Sequence, residues 1–504
     1  MSSAASTNNA NANANTTDTG NAGNGKPRSL TKMLNLKIPL LRSRSRSGKQ
    51  QLPGRSSSDG KSFFRRVSDR QLVRNIASHV IAELHQKQSN MYGCSATFVE
   101  SSSSAFLVPF EDTQVDQVHV HPFKDELVVA PLHRKELEVG ELLGSGGFSE
   151  VFSIQAVQLK NRYIKQERVS LSAAEKEARQ TMQEDVTNST SQDQADKDGG
   201  ENQSLVVKHL KSELLDNPTR FYQAVLDLEQ EANFLAAMNH PNIVKLRGVA
   251  LGGAGSLRSG RHNEFFLVMD RLTDTLANRI DQWEELPTNN TSAPVRVPNI
   301  EAIVDYATQL ASALGYLHQR RLIFRDVKAD NAGFLPLSSS SLYPFDRLQL
   351  FDFGLCRQLP AQRNFNIDPE QTCYNMSMAG TMRYMSPEML LGQGYNRKSD
   401  VYAWAMTVVE MISRKKPYEN IDKVEQFLDT VCKQHERPCV SNYVLPPSLV
   451  VTLERAWSPS VITRATMMDV LDQLLEVIDQ MGDWDVEEEL EADIDSSITL
   501  ARAA

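Results

Sequence analysis

Residues 322–354 read LIFRDVKADNAGFLPLSSSSLYPFDRLQLFDFG, and two clusters inside this stretch decide how the rest of the chain is read. The first is Phe324-Arg325-Asp326-Val327-Lys328-Ala329-Asp330-Asn331. The second is Asp352-Phe353-Gly354, directly after a short apolar strand pattern from Leu348 to Phe351. An Asp, a Lys two residues on and an Asn five residues on can meet on one tight loop. Moving a phosphoryl group needs such a set: a carboxylate to take a hydroxyl proton, a cation near the transferred phosphate, and an amide with a second carboxylate to hold Mg²⁺.

The chain before this stretch supplies complementary patterns. ELEVGELLGSGGFSEVF, residues 136–152, reads as strand, glycine turn, strand. Gly144, Gly146 and Gly147 let backbone N–H groups approach a phosphate without Cβ obstruction; taken alone, such a turn is an ordinary hairpin. Leu205-Val206-Val207-Lys208 is a buried-strand pattern ending in a lysine, which is costly unless paired. The spacing to the His240-Pro241-Asn242 turn favours Glu231 as its partner, with Glu229 the competing residue and a solvated helix face the plainer reading of both. Phe265 to Met269 form an apolar strand leading to Asp270-Arg271-Leu272. Asn299–His318 and Lys398–Ile412 carry helical apolar periodicity.

In this order, the two clusters and the patterns around them resemble the eukaryotic protein kinases, from residue 137 to about 480. Val151 and Phe148 fall where the kinase glycine-rich loop has them, and Ser149 stands at its third glycine. The resemblance implies a two-lobed α+β fold: a small, mainly antiparallel β-sheet lobe with one key helix, packed on a larger helical lobe, with ATP and Mg²⁺ in the cleft. It implies that Gly144, Gly146 and Val151 cover the nucleotide and that Lys208 and Glu231 position its phosphates. Met269 would guard the adenine pocket, and the backbone of Asp270 and Leu272, in a hinge at about 270–272, would bond the base. Asp326 would orient the substrate hydroxyl and accept its proton, Lys328 would steady the γ-phosphate, and Asn331 and Asp352 would hold the metal. Two structural pairings are also implied: Asp400 with the catalytic-loop backbone, and Glu388 of Ser386-Pro387-Glu388 with Arg464.

Lys328 together with Gly380-Thr381 resembles the serine/threonine type. SDVY and the WSPSVITR stretch lean towards the tyrosine-kinase-like group. One departure is Phe324, where the family usually has His; a Phe keeps the stack on Phe353, Leu235 and Leu246 and loses side-chain hydrogen bonding. Another is a polar, acidic stretch at about 155–203, where the family has a short turn; a disordered or partly helical insertion projecting from the surface is expected there. The loop containing SSSSLYPFD is also longer than usual and is expected at the surface. A phosphate on Ser377, three residues before Gly380, would find Arg325 as its partner and implies an upstream activating kinase; an unmodified loop serine is the alternative. Two rival readings stand beside the active protein serine/threonine kinase: a catalytically silent pseudokinase scaffold, and a lipid or small-molecule kinase of related fold. Lys208, Glu231, Asp326, Asn331 and Asp352 argue against the first, and the peptide platform from Gly380 to Glu388 argues against the second.

Charge is unevenly spread. The chain of 504 residues has net charge −9, yet residues 1–80 hold 14 Lys/Arg against 3 Asp/Glu, leaving roughly −20 on the remainder. The asymmetry suggests a basic tail on an acidic body rather than a nucleic-acid-binding protein as a whole, so no specific nucleic acid is expected; protein substrates and ATP are the partners the resemblance implies. Residues 1–62 are rich in Ser, Asn, Gly, Lys and Arg, and disorder is expected. Within them KMLNLKIPLLRSRSRSGK, residues 32–49, is a solvated tail, a membrane-surface or partner-binding segment, or part of an organelle transit peptide. Residues 63–134 form an extension with one expected helix, its apolar residues Leu72, Ile76, Val80 and Leu84 recurring every four positions. Ser68 caps that helix or, after Arg65-Arg66-Val67, is a phosphorylation target. His119, His121 and His133 lack ligand spacing and read as surface histidines. The kinase domain is expected over 135–480 and an acidic tail over 481–504. Five cysteines without metal spacing, no apolar run of membrane length and no signal-peptide core point to the cytoplasm or nucleus, with organelle targeting by the basic segment left open.

Overall fold

The computed structural model describes residues 69–82, 127–190, 204–283, 294–335, 346–359 and 370–481. The basic tail, Ser68, Leu84, His119, His121, the serine-rich loop and the acidic tail therefore lie outside the described residues.

The small lobe is a six-stranded sheet. Its strands are β1 (Ala130–Leu132), β2 (Leu137–Ser145), β3 (Ser149–Val157), β4 (Leu205–Leu210), β5 (Leu246–Ala250) and β6 (Phe266–Asp270), in the spatial order β1-β5-β6-β4-β3-β2. All neighbours are antiparallel except β1 and β5, which run parallel with Pro131 opposite Val249. The sheet thus begins before residue 135, the expected domain start. Helix α1, residues 69–82, belongs to the same body. Its Val73, Ile76, Ala77 and Val80, spaced for one face, are buried in the main core. Arg74 donates to the carbonyls of Arg258 and Ser259, at 3.2 and 3.4 Å, which fastens the helix to the β5–β6 connection.

The stretch after β3 is helical, one of the two forms expected of it, but it packs on the sheet instead of projecting from the surface. It forms α2 (Asn161–Gln166) and α3 (Ala173–Thr190), and only 191–203 lie outside the described residues. A capping box starts α3: Ser172 Oγ accepts from Glu175 N at 3.1 Å while Glu175 Oε2 accepts from Ser172 N at 2.7 Å. Met182 and Val186 enter the core. Arg179, buried, meets buried Glu136 at 2.8 Å and also donates to the Pro131 carbonyl. Glu136 further accepts from the backbone N–H groups of His133 and Lys160, at 2.9 and 2.8 Å. This buried cluster ties three separate segments together. The helix lies on the sheet because a polar sequence still supplies one apolar stripe and one satisfied ion pair.

Helix α4 (Pro218–Ala236) crosses the small lobe. Pro218 sits at its first turn, Asn217 caps Arg220 N at 3.1 Å, and Phe221, Val225, Leu228 and Leu235 face the core. The large lobe contains α5 (Leu276–Gln282), β7 (Val295–Arg296), α6 (Ile300–Gln319), β8 (Leu322–Ile323), β9 (Ala332–Leu335), β10 (Arg347–Leu350), β11 (Arg357–Gln358), α7 (Pro387–Leu390), α8 (Lys398–Ser413), α9 (Val424–Leu428), β12 (Tyr443–Val444), α10 (Pro447–Ala456) and α11, residues 467–481. Helix α8 is buried almost all round, as its composition requires: Trp404 fills the centre and donates to the Ala307 carbonyl at 2.9 Å. Hairpin β9–β10 and the pair β8–β11 set the two clusters side by side. Among the described residues no helix is long and apolar enough to cross a membrane.

Candidate active site

The loop between β8 and β9 carries Asp326, Lys328 and Asn331, and side-chain bonds hold it together. Lys328 Nζ lies 2.8 Å from Asp326 Oδ2, and Asn331 Nδ2 donates to the same oxygen at 2.9 Å and to the Asp326 carbonyl at 2.8 Å. Thr381 Oγ donates to Asp326 Oδ1 at 2.8 Å and accepts from Lys328 at 2.9 Å. From beneath, Asp400 of α8 accepts from the backbone N–H groups of Phe324 and Arg325, both at 2.8 Å, and meets His318 at 3.0 Å. Arg325 has φ of 72°, a left-handed backbone that these bonds stabilise. Gly380, at φ 111°, is required as glycine, because a Cβ there would collide with the Arg325 carbonyl.

Lys208 on β4 reaches across the cleft. Its Nζ lies 2.8 and 2.7 Å from the two Glu231 oxygens and 3.1 Å from Asp352 Oδ1. The choice between Glu229 and Glu231 is thereby settled, and neither is solvated: Glu229 is buried and accepts from Ala254 N at 3.3 Å. Burial works against the Lys208 charge, but Asp352 and Glu231 outweigh it and raise its pKa above the ordinary lysine value. The Lys208 ammonium in turn lowers the Asp352 carboxyl below its usual range. Lys208 and Asp352 are therefore held in their charged forms, while burial raises the Glu231 carboxyl above its usual range against the pull of Lys208. The Asp352 side chain is 53% exposed, so it faces the cleft while Phe353 beside it is fully buried. Phe353 packs edge-on against Phe324 at 5.1 Å between ring centres, the stack expected from a Phe at the usual His position. Burying such a ring contributes about 2–3 kcal/mol.

Gly144 pairs with Val151, and Val151 with Lys208, so the glycine turn hangs over the same cleft. Asp270 ends β6, and its side chain pairs with Arg247 at 2.6 Å. Leu272 follows between Arg271 and Thr273, whose N–H groups bond Ser204 and Phe334; no backbone bond of Leu272 forms among the described residues. Among the described residues its N–H is therefore left available to a ligand edge. Asn331 keeps its side-chain Oδ1, since Nδ2 serves Asp326 and the backbone carbonyl accepts from Phe351 N. One amide oxygen and one exposed carboxylate are hard oxygen donors that suit Mg²⁺, which takes one or two protein ligands and completes its shell with phosphate and water. Among the described residues there is no cluster of three or more His, Cys, Asp or Glu that would hold a metal unaided. The residues present therefore fit a nucleotide with its metal.

Glu388 and Arg464 form the expected buried pair, at 2.7 and 2.9 Å. Thr381, His318 and Gln230, which bonds the Cys356 carbonyl at 2.6 Å, belong to this constellation and were not singled out as site residues from sequence. Thr381 was visible only as part of Gly380-Thr381; the other two carry no local signal.

The fold and site define a protein kinase. The family model described as protein kinase domain matches residues 194–479, more than half of the chain. The chain belongs to the protein kinase family. A probable serine/threonine-protein kinase of Dictyostelium discoideum is 27% identical over 248 residues, 49% of this chain and 13% of the relative. Mitogen-activated protein kinase kinase kinase 10 of Mus musculus is 27% identical over 256 residues, 50% of this chain and 24% of the relative. The dual specificity protein kinase shkC of Dictyostelium discoideum is 29% identical over 174 residues, 34% of this chain and 31% of the relative. The chain spans less than a third of the length of each of these relatives.

Proposed function

We propose that this chain is an active protein serine/threonine kinase that transfers the γ-phosphoryl group of ATP to protein hydroxyls. The observation that carries the reading is the Lys208 ammonium, bonded at once to Glu231 on α4 and Asp352 after β10. That bond assembles the small-lobe helix, the phosphate-facing lysine and the metal-facing carboxylate in one geometry. Asn331 and Asp352 would hold Mg²⁺, which supplies charge neutralisation at the phosphates when bound.

The chain's own groups do the rest. Lys208 orients the phosphates, and the turn around Gly144 and Gly146 covers them and excludes water. Asp326 accepts a substrate hydroxyl, aligns its oxygen with the terminal phosphorus and takes its proton. The new O–P bond forms as the bond to the bridging oxygen breaks, and ADP departs with that electron pair. Lys328, beside Asp326, steadies the charge that develops. The peptide platform built by Glu388 and Arg464 supports a protein substrate over a lipid or small molecule. The names of two relatives, serine/threonine and dual specificity, support hydroxyl transfer and leave tyrosine as a measured alternative.

The test incubates purified full chain with Mg-ATP and a degenerate peptide library, followed by phosphoamino-acid analysis. Phosphoserine and phosphothreonine, absent with Asp326→Asn, are expected. Equal labelling by wild type and Asp326→Asn would leave a silent scaffold as the surviving reading.

A further inference from the structure

Two neighbouring carbonyls just after Asp352-Phe353-Gly354 are gripped from opposite lobes. Gln230 Nε2 on α4 donates to the Cys356 carbonyl at 2.6 Å, and Arg325 Nε in the catalytic loop donates to the Leu355 carbonyl at 2.7 Å. Each donor is the immediate sequence neighbour of a site residue: Gln230 of Glu231, Arg325 of Asp326. One turn before Gln230 on α4, Asp227 lies 3.6 Å from Arg357. Arg357 opens β11, which pairs with β8 at the entrance of the catalytic loop. The stretch Leu355-Cys356-Arg357 is therefore the short mechanical link between α4 and Asp326.

The chemistry of the link is specific. A neutral amide needs no charge partner, so its bond to Cys356 forms whatever the modification state of the segment. Asp227 holds Arg357 beside α4, at 3.6 Å. The Cys356 carbonyl also accepts from Arg357 Nη1 at 2.7 Å. Loss of Gln230 therefore leaves no buried acceptor orphaned; it removes only the part of the bond network that reaches α4.

We propose that Gln230 is a positioning residue: it fixes the rotation and depth of α4 against residues 355–357 and so holds Glu231, and through it Lys208, opposite Asp352. The inference rests on the kinase reading above, and its test separates the two. Gln230→Leu keeps similar bulk and removes the donor, while Gln230→Lys restores a donor to the carbonyl. One hydrogen bond is worth about 1 kcal/mol, and tenfold corresponds to about 1.4 kcal/mol. Gln230→Leu is thus expected to lower kcat/KM for ATP by about five- to tenfold, mainly through a raised KM, with Tm nearly unchanged. Gln230→Lys is expected to recover most of that loss. Native-state hydrogen exchange at 226–236 and 353–358 is expected to quicken in Gln230→Leu and to return towards wild type in Gln230→Lys.

Unchanged kinetics and exchange in Gln230→Leu would overturn the proposal. So would equal losses in both variants with a lowered Tm, which marks a packing role. If wild type transfers no more phosphate than Asp326→Asn, the kinase reading fails instead, and the exchange comparison still decides the link.

Discussion

Thr381 donates its hydroxyl to Oδ1 of Asp326 at 2.8 Å, across 55 positions of sequence. A carboxylate offers about four acceptor sites. Thr381 fills one on Oδ1, and Lys328 with Asn331 fill two on Oδ2. One site on Oδ1 is left, and its neighbours fix its direction. In the proposed reaction a substrate hydroxyl at that site would be aimed by three donors from two segments, which ties the loop's geometry to the segment around Gly380.

Asp326→Asn keeps this shape but removes the proton acceptor. Phosphotransfer should fall by at least about a hundredfold, the order expected for losing a general base. Nucleotide affinity should persist, because Lys208, Glu231 and Asp352 are untouched. Single-turnover kinetics with parallel nucleotide-binding titration check both halves. Near-normal turnover on a peptide would remove the role assigned to Asp326.

Glu229 gives the small lobe a pH dependence of definite sign. Burial pushes its carboxyl up to about 7 from an ordinary 4.5, and the Ala254 N–H pulls only partly back. The folded state therefore binds more protons than the unfolded chain between about pH 4.5 and 7, and stability falls as pH rises through that window. The shift corresponds to at most about 3 kcal/mol. Glu229→Gln should flatten the dependence and raise stability at pH 8 by about 1–3 kcal/mol. Chemical denaturation of both proteins at pH 5 and pH 8 measures it; parallel curves would show that Glu229 is not the group responsible.

The docked helix α3 depends on Arg179 and Glu136. Removing one member of a buried ion pair strands the other and costs about 3–5 kcal/mol. Arg179→Met should lose stability on that scale and expose residues 173–190 to limited proteolysis, where wild type resists. Arg179→Met with Glu136→Gln should recover part of the loss. Early cleavage of wild type within α3 would contradict the docked arrangement.

These contacts mark what the sequence made legible. Lys208 was readable as a buried charge that needs a partner, and Asp400 as a costly charge in an apolar helix; the roles of the catalytic loop and Asp352, the contact made by Asp400 and the pair Glu388–Arg464 were legible only through the resemblance to the protein kinases. The Phe324–Phe353 stack was legible in the same way, since a Phe keeps the shape. The helical alternative for the insertion was legible, but the docking of α3 on the sheet was not, because its composition is polar, although Ser172-x-x-Glu175 is a capping signal and Met182 and Val186 share a face. Its deciding group is Arg179, whose partner Glu136 lies 43 residues away. Gln230 was illegible because a neutral amide on a helix face leaves no pattern; its meaning comes from a carbonyl more than a hundred residues distant.

Ser377 lies on the segment that carries Thr381. It is exposed, and its carbonyl already accepts from Tyr395 Oη at 2.7 Å and from Arg325 Nη1 at 3.4 Å. The backbone is thus held at the place where a phosphate would meet Arg325. A phosphoserine there adds about −2 charge and three acceptor oxygens, and charge-assisted bonds to Arg325 would strengthen the grip on the segment that carries Thr381. Ser377→Ala is expected to lower turnover several-fold, and phosphatase treatment of wild type should lower it to the same level. Arg325→Ala should cost further in the Ser377→Ala background, because Arg325 also bonds the Leu355 carbonyl and Tyr395; the excess measures that structural share. Phosphopeptide mapping of the active protein with kinetics of the three variants tests the scheme. Full activity of Ser377→Ala, with no phosphate on residues 370–388 of the active protein, would discard the switch and leave the kinase assignment standing, since the Tyr395 bond orders the segment without modification.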